Sequence, residues 1–146
     1  MTTPHIETGA PPGFTARAHP SPFNDLTGPI YSRREGRHRV IGLRVLEKHC
    51  NRSGIMHGGM VATLADIALG HNLSLQSDPP RGMVTANLSV NFAGSARVGD
   101  WLEAHVDVQK HGSRISFANC YIHCGDKRIA HASAVFAFAG ERRADT

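Results

Sequence analysis

One segment of the chain is apolar around most of a helix, and strand-like segments flank it on both sides. From His57 to about Ser74, apolar side chains recur at intervals of three and four residues, which is the period of an α-helix. Ala65, Leu69 and Leu73 widen the apolar stripe over most of the circumference, so the helix needs cover on nearly every side. The sequence therefore predicts one long central helix enclosed by the rest of the fold.

The flanking segments have the period of two that is typical of strands. Before the helix, residues 30–34 and 39–47 surround a turn at Glu35-Gly36. After it, four alternating segments are joined by short turns: 83–92, 102–109, 115–123 and 128–138. The predicted order is β-β-α-β-β-β-β, an α+β fold in which one antiparallel sheet wraps around the helix and the last four strands form a meander.

A chain of 146 residues accommodates one core of ordinary size. Residues 1–22 are rich in Pro and Gly and predict an irregular arm, followed by one domain at 23–140 and a short tail at 141–146. At the end of the arm, Ser21-Pro22 resembles an N-cap followed by Pro at the first helical position. This pattern predicts a short helical turn before Gly28.

Composition narrows the class of protein. No apolar run approaches the roughly 18–20 residues that span a bilayer, and residues 1–10 lack the pattern of a signal peptide. Three cysteines are too few and odd in number for a disulfide framework, which favours a reducing compartment. We therefore expect a cytoplasmic protein that binds no membrane.

The formal net charge of +4 is concentrated in one segment. Residues 31–49 hold six basic and two acidic side chains, and the rest of the chain is balanced. With aromatic residues at only 6% and no alternation of aromatic and basic residues, nucleic-acid binding is not expected. A solvated hairpin, a phosphate-bearing ligand and a subunit contact remain open interpretations of this segment.

Two glycines, Gly58 and Gly59, stand where the central helix begins. Glycine is a poor helix former but leaves backbone N–H groups bare at the positive end of the helix dipole. Such groups could hold the negative charge that develops on a carbonyl oxygen, as an oxyanion hole does. A plain glycine-rich helix entry is the alternative reading.

Asp66 is a carboxylate within this otherwise apolar helix, between the small residues Ala62 and Gly70 of adjacent turns. A carboxylate on an apolar helix needs a partner, water or a catalytic role. It lies eight residues from Gly58, about 12 Å along the helix, so the two groups of one chain cannot contact the same reacting carbonyl. If both are catalytic, the site must lie between two subunits related by a two-fold axis.

Signatures of other chemistries are missing from the sequence. It has no G-x-S-x-G, G-x-x-x-x-G-K-[ST], G-x-G-x-x-G or H-E-x-x-H motif. No two histidines are two to four positions apart, so no local metal-binding pair exists. We expect no metal and no separate cofactor.

The pattern Asn51-x-x-Gly54-x-x-His57-Gly58-Gly59-x-x-x-Thr63-Leu64-x-Asp66 resembles the signature of hotdog-fold acyl-CoA thioesterases of the PaaI and 4-hydroxybenzoyl-CoA thioesterase-like superfamily. The resemblance covers about residues 25–140. It implies a curved antiparallel sheet wrapped around the helix. It also implies homodimers with shared active sites, commonly paired into homotetramers.

The resemblance further implies roles for single residues in the hydrolysis of an aryl or medium-chain acyl-CoA. Asp66 would be the general base or the nucleophile, and the Gly58 N–H would polarise the thioester carbonyl. Asn51 and Thr85 would position the water, and His57 would contact the thioester end of the substrate. The expected contacts to the acyl group or to coenzyme A, which is part of the substrate, are Met83, Phe92, Arg97, Lys110, Gly112 and Arg114.

Two other functions share this fold. An acyl-thioester dehydratase would need a different arrangement of His and Asp from the one seen here. A non-catalytic acyl-CoA sensor could keep the pocket but would not need Asp66. The sequence favours hydrolysis over both.

Overall fold

The computed structural model describes residues 9–17 and 21–140. It contains the strands β1 (Thr15–Ala16), β2 (Tyr31–Glu35), β3 (His38–Arg44), β4 (Met83–Phe92), β5 (Trp101–His111), β6 (Ile115–Cys124) and β7 (Lys127–Phe138), with the helices α1 (Pro22–Thr27) and α2 (Gly58–Ser74). The strands form one antiparallel seven-stranded sheet in the order β1-β2-β3-β5-β6-β7-β4. The expected α+β architecture is confirmed.

Helix α2 lies against the sheet and supplies the centre of the core. Leu64, Ala65, Ala68, Leu69 and Leu73 are fully buried, as their apolar spacing predicts. They pack with inward-facing residues of the strands, including Ile41, Leu43, Leu102, Cys120, Ile122 and Ala132. The core thus joins one helix to one face of one sheet.

A buried asparagine fixes how α2 meets β3. Asn72 is almost completely buried, and its side chain accepts a hydrogen bond from the Arg39 N–H and donates one to the Arg39 carbonyl, both at 2.9 Å. A buried amide must be satisfied in this way, since leaving it unpaired costs about 1–3 kcal/mol. This pair holds the start of β3 at the last turn of α2.

The predicted meander of four strands is wrong for one strand. Strands β5, β6 and β7 follow one another in the sheet, but β4 lies at the edge beside β7 instead of beside β5. The connection after β4 is fastened to two other parts of the fold: Ala93 and Gly94 donate to the Ile129 carbonyl, and Met56 donates to the Ala96 carbonyl. These hydrogen bonds hold the connection across the end of the sheet before it enters β5.

The second predicted strand is also shorter than expected, because β3 ends at Arg44 and a 3₁₀ turn follows at Glu47–His49. The cause is His49, whose Nδ1 accepts from the Leu46 N–H at 2.9 Å while its Nε2 contacts the Thr27 carbonyl at 2.5 Å. The side chain is buried, and burial lowers the pKa of His49. The chain therefore turns at this histidine toward the start of α2.

The predicted helical turn before Gly28 is confirmed as α1, where Ser21 accepts from the Asn24 N–H at 3.1 Å and Pro22 begins the helix. Part of the predicted irregular arm pairs with the sheet through β1, and Phe14 packs edge-on against Trp101 at 4.9 Å. Residues 1–8 and 18–20 of the arm and the predicted tail 141–146 lie outside the described residues. No helix in the described ranges is long and apolar enough to cross a bilayer.

One partly buried histidine makes the stability dependent on pH. Burial and the nearby positive charges of Arg17 and Arg39 lower the pKa of His71 to about 4. Its Nδ1 lies 3.0 Å from the Arg17 guanidinium and accepts a hydrogen bond only while it is unprotonated. In the unfolded chain the imidazole takes up a proton near its ordinary pKa of 6.5, so the folded state binds fewer protons between these values.

We therefore expect the melting temperature to fall as the pH is lowered from about 6.5 to 4. The variant His71→Asn keeps a hydrogen-bond acceptor but no group that titrates in this range, so its melting temperature should fall less steeply. Thermal unfolding of both proteins across this range measures the difference. Parallel curves would show that His71 is not a source of the pH dependence.

Candidate active site

The start of α2 is built around the side chain and the carbonyl of His57. This residue is the N-cap, with φ −61° and ψ 135°, and its Nδ1 accepts a hydrogen bond from the Gly59 N–H at 2.8 Å. Its carbonyl accepts from the N–H groups of Met60 at 2.8 Å and Val61 at 3.1 Å. Three of the first four N–H groups of the helix are thus satisfied locally.

The fourth group is the N–H of Gly58. No residue in the described part of the chain accepts a hydrogen bond from it. The ring of Phe92 lies directly over this glycine, and a Cβ atom at position 58 would be 3.3 Å from that ring. The first turn of α2 therefore presents one unused N–H donor beside an exposed aromatic ring, at the positive end of the helix dipole.

Asn51 organises the loop that leads into this helix. Its Oδ1 accepts from the N–H groups of Ser53 at 2.9 Å and Ile55 at 3.2 Å, an Asx-type turn. Gly54 within the turn has φ +72°, a conformation that glycine adopts without strain. Because the Oδ1 atom is engaged here, only the Nδ2 donors of Asn51 could reach a water or a substrate.

Two residues hold this loop in place: His49, which the sequence did not single out, and Arg97, which was expected to contact coenzyme A. His49 accepts the N–H of His57 on its carbonyl at 2.8 Å, and Arg97 pairs with Ile55 across an isolated bridge. The signal that could have identified His49 is its position eight residues before the expected helix start at His57. A histidine at that position belongs to no recognisable sequence motif, however, and only the fold shows that the His49 side chain is buried.

Asp66 lies on α2 two turns beyond Gly58, on the side that faces β4. Its Oδ1 accepts a hydrogen bond from the Thr85 hydroxyl at 2.6 Å, a short distance typical of an O–H donor and a carboxylate. The carboxylate is half-buried, and its Oδ2 makes no hydrogen bond in the described part of the chain. One oxygen is thus fixed by Thr85 while the other stays free.

A β-bulge puts Thr85 in this place, which differs from the sequence expectation. Uninterrupted alternation along β4 would have placed Thr85 with Asn87 and Ser89 on the face away from the helix. The register instead shifts between Thr85 and Asn87, so that Thr85 pairs with the buried Phe136 and faces α2. Because Ala86 is an extra residue in β4, the side chains that precede it point to the opposite face from the one that strict alternation predicts. Bulges next to functional sites often redirect a side chain in this way.

The structure keeps Gly58 and Asp66 apart within one chain. Both belong to the single helix α2, with eight residues and about 12 Å between them. It brings Asp66 together with Thr85, and separately brings His57, Gly58 and Phe92 together at the start of the helix, with Asn51 in the loop that leads into it. The predicted catalytic residues therefore form two halves in one subunit.

Strand β4 forms one edge of the sheet, and nothing in the described residues covers that edge. Its ten residues include no charged residue and no proline, and Val84 and Phe92 are more than half exposed. Edge strands of monomeric proteins usually carry charges, prolines or cover that prevent pairing with another chain. Strand β4 has none of these features, apart from its bulge.

The residues expected to contact coenzyme A also separate into two groups. Lys110, Gly112 and Arg114 lie at the turn between β5 and β6, and Met83 begins β4 at the same end of the sheet. Arg97 and Phe92 lie at the other end. Strand β5 runs between these ends for 11 residues, about 36 Å, so one CoA molecule cannot contact both groups of one chain.

Gly112 is required by the turn that carries Lys110 and Arg114. Its N–H donates to the Ile115 carbonyl at 3.0 Å, and a Cβ atom there would lie 2.4 Å from the same oxygen. Arg81 stacks on Phe138 at 3.6 Å at this end of the sheet. It adds a cation near the turn that no motif identified.

No cluster of three or more His, Cys, Asp or Glu side chains that could hold a metal ion occurs within residues 9–17 and 21–140. The groups that these two halves offer are a carboxylate, a hydroxyl, an amide, an imidazole and a bare N–H. Together they could polarise a carbonyl oxygen and activate a water or attack the carbonyl carbon directly.

Similar proteins support a common family. Residues 53–131 match the model of the thioesterase superfamily, which is more than half of the chain. A Pseudomonas aeruginosa protein that is named as an esterase, PA0474, is 46% identical over 127 residues, which cover 86% of this chain and 95% of that protein.

Solved structures share the fold at low sequence identity. The BH2602 protein of Bacillus halodurans, solved with CoA, has a TM-score of 0.77 at 21% identity and covers 86% of this chain and 83% of its own. The Escherichia coli PaaI protein, from the phenylacetic acid degradation operon, has a TM-score of 0.66 at 22% identity and covers 71% and 74% of the two chains. This likeness confirms the hotdog fold.

Proposed function

The chain belongs to the thioesterase superfamily and is a thioesterase, and on that basis we propose that it hydrolyses an aryl or medium-chain acyl-CoA thioester to the free acid and CoA. The observation that carries this proposal is the position of Asp66. Its carboxylate is oriented by Thr85 on a bare edge strand, where a second subunit can complete the site. The CoA bound to the Bacillus halodurans neighbour supports coenzyme A as the carrier of the acyl group.

The working unit in this proposal is a homodimer that pairs β4 with β4 of a second subunit. An antiparallel two-fold pairing centred near Leu88 sets Thr85 beside Asn91 or Phe92 of the partner subunit. Since Phe92 lies over Gly58 in each chain, the same pairing brings the start of the partner's α2 toward Asp66. Two such sites result from one two-fold axis. Further pairing of dimers into a tetramer stays a prediction from the family resemblance.

In this dimer, the Gly58 N–H of one subunit donates to the thioester carbonyl oxygen and stabilises the negative charge that forms there. Asp66 of the other subunit acts from the opposite side, either by taking a proton from water or by attacking the carbonyl carbon. The Thr85 hydroxyl keeps Oδ1 in place, and the Asn51 Nδ2 group donates to the water. The His57 imidazole has Nδ1 engaged with Gly59, so its Nε2 faces the thioester as a donor. The reaction needs no metal and no separate cofactor.

The same dimer joins the two groups of CoA contacts. Arg97 and Phe92 of one subunit approach the β5–β6 turn of the other, where Lys110, Gly112 and Arg114 lie. Arginine and lysine suit the phosphates of coenzyme A. Met83, partly buried at the start of β4, would contact the acyl group.

Mixing two inactive variants tests the shared site. We expect Asp66→Asn and Gly58→Pro each to be inactive, and a mixed dimer to contain one intact site and one doubly altered site. If equal amounts of the two subunits pair at random, the whole mixture regains about one quarter of the wild-type CoA release, and the purified mixed dimer about one half. Co-expression of the two variants with different tags, followed by purification of the mixed dimer, allows this measurement.

Each pure variant, carried through the same purification, is the control for residual activity. A mixed dimer that forms but releases no CoA would contradict the shared site. A wild-type protein that sediments as a fully active monomer would contradict it as well.

A further inference from the structure

The basic segment noted in the sequence forms one wall of a groove at the sheet edge opposite to β4. This groove has a volume of about 510 Å³ and lies between the turn of the β2–β3 hairpin and the chain that follows α2. Arg34, Arg37 and Arg39 line one side, and residues 75–78 line the other. Leu75 lies nine residues, about 13 Å, beyond Asp66 along the direction of α2, so the groove is separate from the catalytic carboxylate. On the other side, Ser77 Oγ lies 3.1 Å from His111 Nε2 at the β5–β6 turn.

The three arginines of the groove have no carboxylate partner among the described residues. None of Arg34, Arg37 and Arg39 forms an ion pair within the described part of the chain. Arg33 of the same hairpin does not line the groove, and its guanidinium lies 3.1 Å from Glu35 and 3.7 Å from Glu103. Within the described residues, Arg33 is therefore paired with carboxylates, whereas the positive charges of the three groove arginines are not.

The one carboxylate that lines the groove is Asp78, so the lining has a net positive charge. A fourth arginine, Arg17, lies close enough to Arg39 for their charges to interact, and after burial these two charges are what lowers the pKa of His71. Uncompensated positive charge at a concave surface attracts anions. The local field at this end of the hairpin is thus positive, since Asp78 is outnumbered by the arginines among the described residues.

The negative end of the α2 dipole could by itself explain why arginines gather here. In that case, their guanidinium groups would donate to the last carbonyls of the helix. The only side-chain hydrogen bond of the three within the described residues runs from Arg34 Nε to the Gly36 carbonyl at 3.3 Å, inside the hairpin turn. The guanidinium donors thus remain available to a ligand.

One residue of the groove wall, His38, has an unsatisfied buried polar atom. The Nδ1 of His38 is buried and has no hydrogen-bond partner in the described part of the chain, and His38 lines the groove. Buried polar atoms are nearly always paired, so this exception marks the wall of the groove as a place where a water or an ion would be accommodated. Gln76 and Ser77 supply neutral donors and acceptors on the facing wall.

We propose that this groove is a binding site for a phosphate-bearing small molecule with at least two negative charges. Guanidinium groups form paired hydrogen bonds with phosphate oxygens, and three of them suit a ligand with two phosphate groups. The volume is in the range of small-molecule sites, roughly 300–1,000 Å³. No Phe, Tyr or Trp of the described residues lines the groove, so we expect recognition to depend mainly on the phosphates. This inference does not depend on the proposed function.

Titration calorimetry with inorganic pyrophosphate tests the site on the full-length protein. The variant Arg34→Gln/Arg37→Gln should bind at least about tenfold more weakly than the wild type, because charge-assisted hydrogen bonds are lost. Arg33→Gln removes a charge from the same hairpin but outside the groove, so its affinity should change less than about threefold. The melting temperatures of all three proteins show whether the variants are folded.

Two sources of the phosphates are distinguished by repeating the titration with saturating CoA. Loss of pyrophosphate binding would identify the nucleotide end of CoA as the ligand, and unchanged binding would identify a separate phosphorylated compound. Either result supports the site. The proposal is overturned if pyrophosphate fails to bind the wild type at millimolar concentration, or if Arg33→Gln weakens binding as much as the double variant does.

Discussion

Replacing Asp66 with Asn should lower the rate of CoA release about 10²–10⁴-fold, which is the range that a positioned general base contributes. Asparagine has nearly the same shape, and its Oδ1 can still accept the hydrogen bond from Thr85 that the carboxylate accepts at 2.6 Å. What it lacks is the negative charge that would take a proton from water or attack the thioester. A panel of aryl and medium-chain acyl-CoA substrates, assayed for free CoA, measures this effect.

The control for this prediction is Thr85→Ser, which keeps the hydroxyl that orients Asp66 and should retain most of the activity. Binding of acyl-CoA to Asp66→Asn should persist, because the carboxylate is not among the predicted CoA contacts. A wild-type protein that binds acyl-CoA but hydrolyses none of the panel would favour the sensor function. A dehydratase would instead yield an unsaturated acyl product with its thioester intact.

Replacing Gly58 with Pro should reduce kcat about 10²–10³-fold, or about 2.7–4 kcal/mol of transition-state stabilisation, because it removes one oxyanion donor. Proline is well tolerated at the first position of a helix. The preceding residue, His57, has ψ 135°, a conformation that proline favours in its predecessor. Because the Gly58 N–H has no partner within the described residues, no internal hydrogen bond is lost.

The matched control is Gly58→Ala, which adds a Cβ atom 3.3 Å from the exposed Phe92 ring but keeps the N–H. A loss of kcat in the proline variant only would assign the effect to the N–H group. Equal losses in both variants would instead indicate that crowding against Phe92 is responsible. An active proline variant with an unchanged melting temperature would exclude the Gly58 N–H as the oxyanion donor.

Much of the fold could be predicted from the sequence because it depends on local periodicity. The apolar pattern of α2 extends around the helix, and its burial follows from the hydrophobic effect without reference to its neighbours. The strand segments and the short helix capped by Ser21 are signalled by residues close in sequence. Strand order is different, since the position of β4 beside β7 depends on contacts between distant segments.

The candidate site was partly predictable for the same reason. Gly58 and Asp66 lie on one helix, so their separation follows from helical geometry alone. Thr85 was identified only through the family resemblance. Strict alternation with Val84 and Leu88 would place Thr85 on the face away from the helix, which is wrong. The cause is the bulge at Ala86, which the sequence does not reveal because no glycine marks it.

The sequence by itself determined that this chain has one central helix flanked by strands and glycines at the start of that helix. It also determined that Asp66 lies too far along the helix to contact the same carbonyl group as Gly58 of the same chain. Those properties are local, since they follow from residue type and spacing. Tertiary structure decided which N–H remains unsatisfied, which hydroxyl holds Asp66, and that β4 is an uncovered edge. It also separated the paired arginine of the hairpin from those that face the groove. These depend on where distant segments meet, which packing of the whole chain fixes.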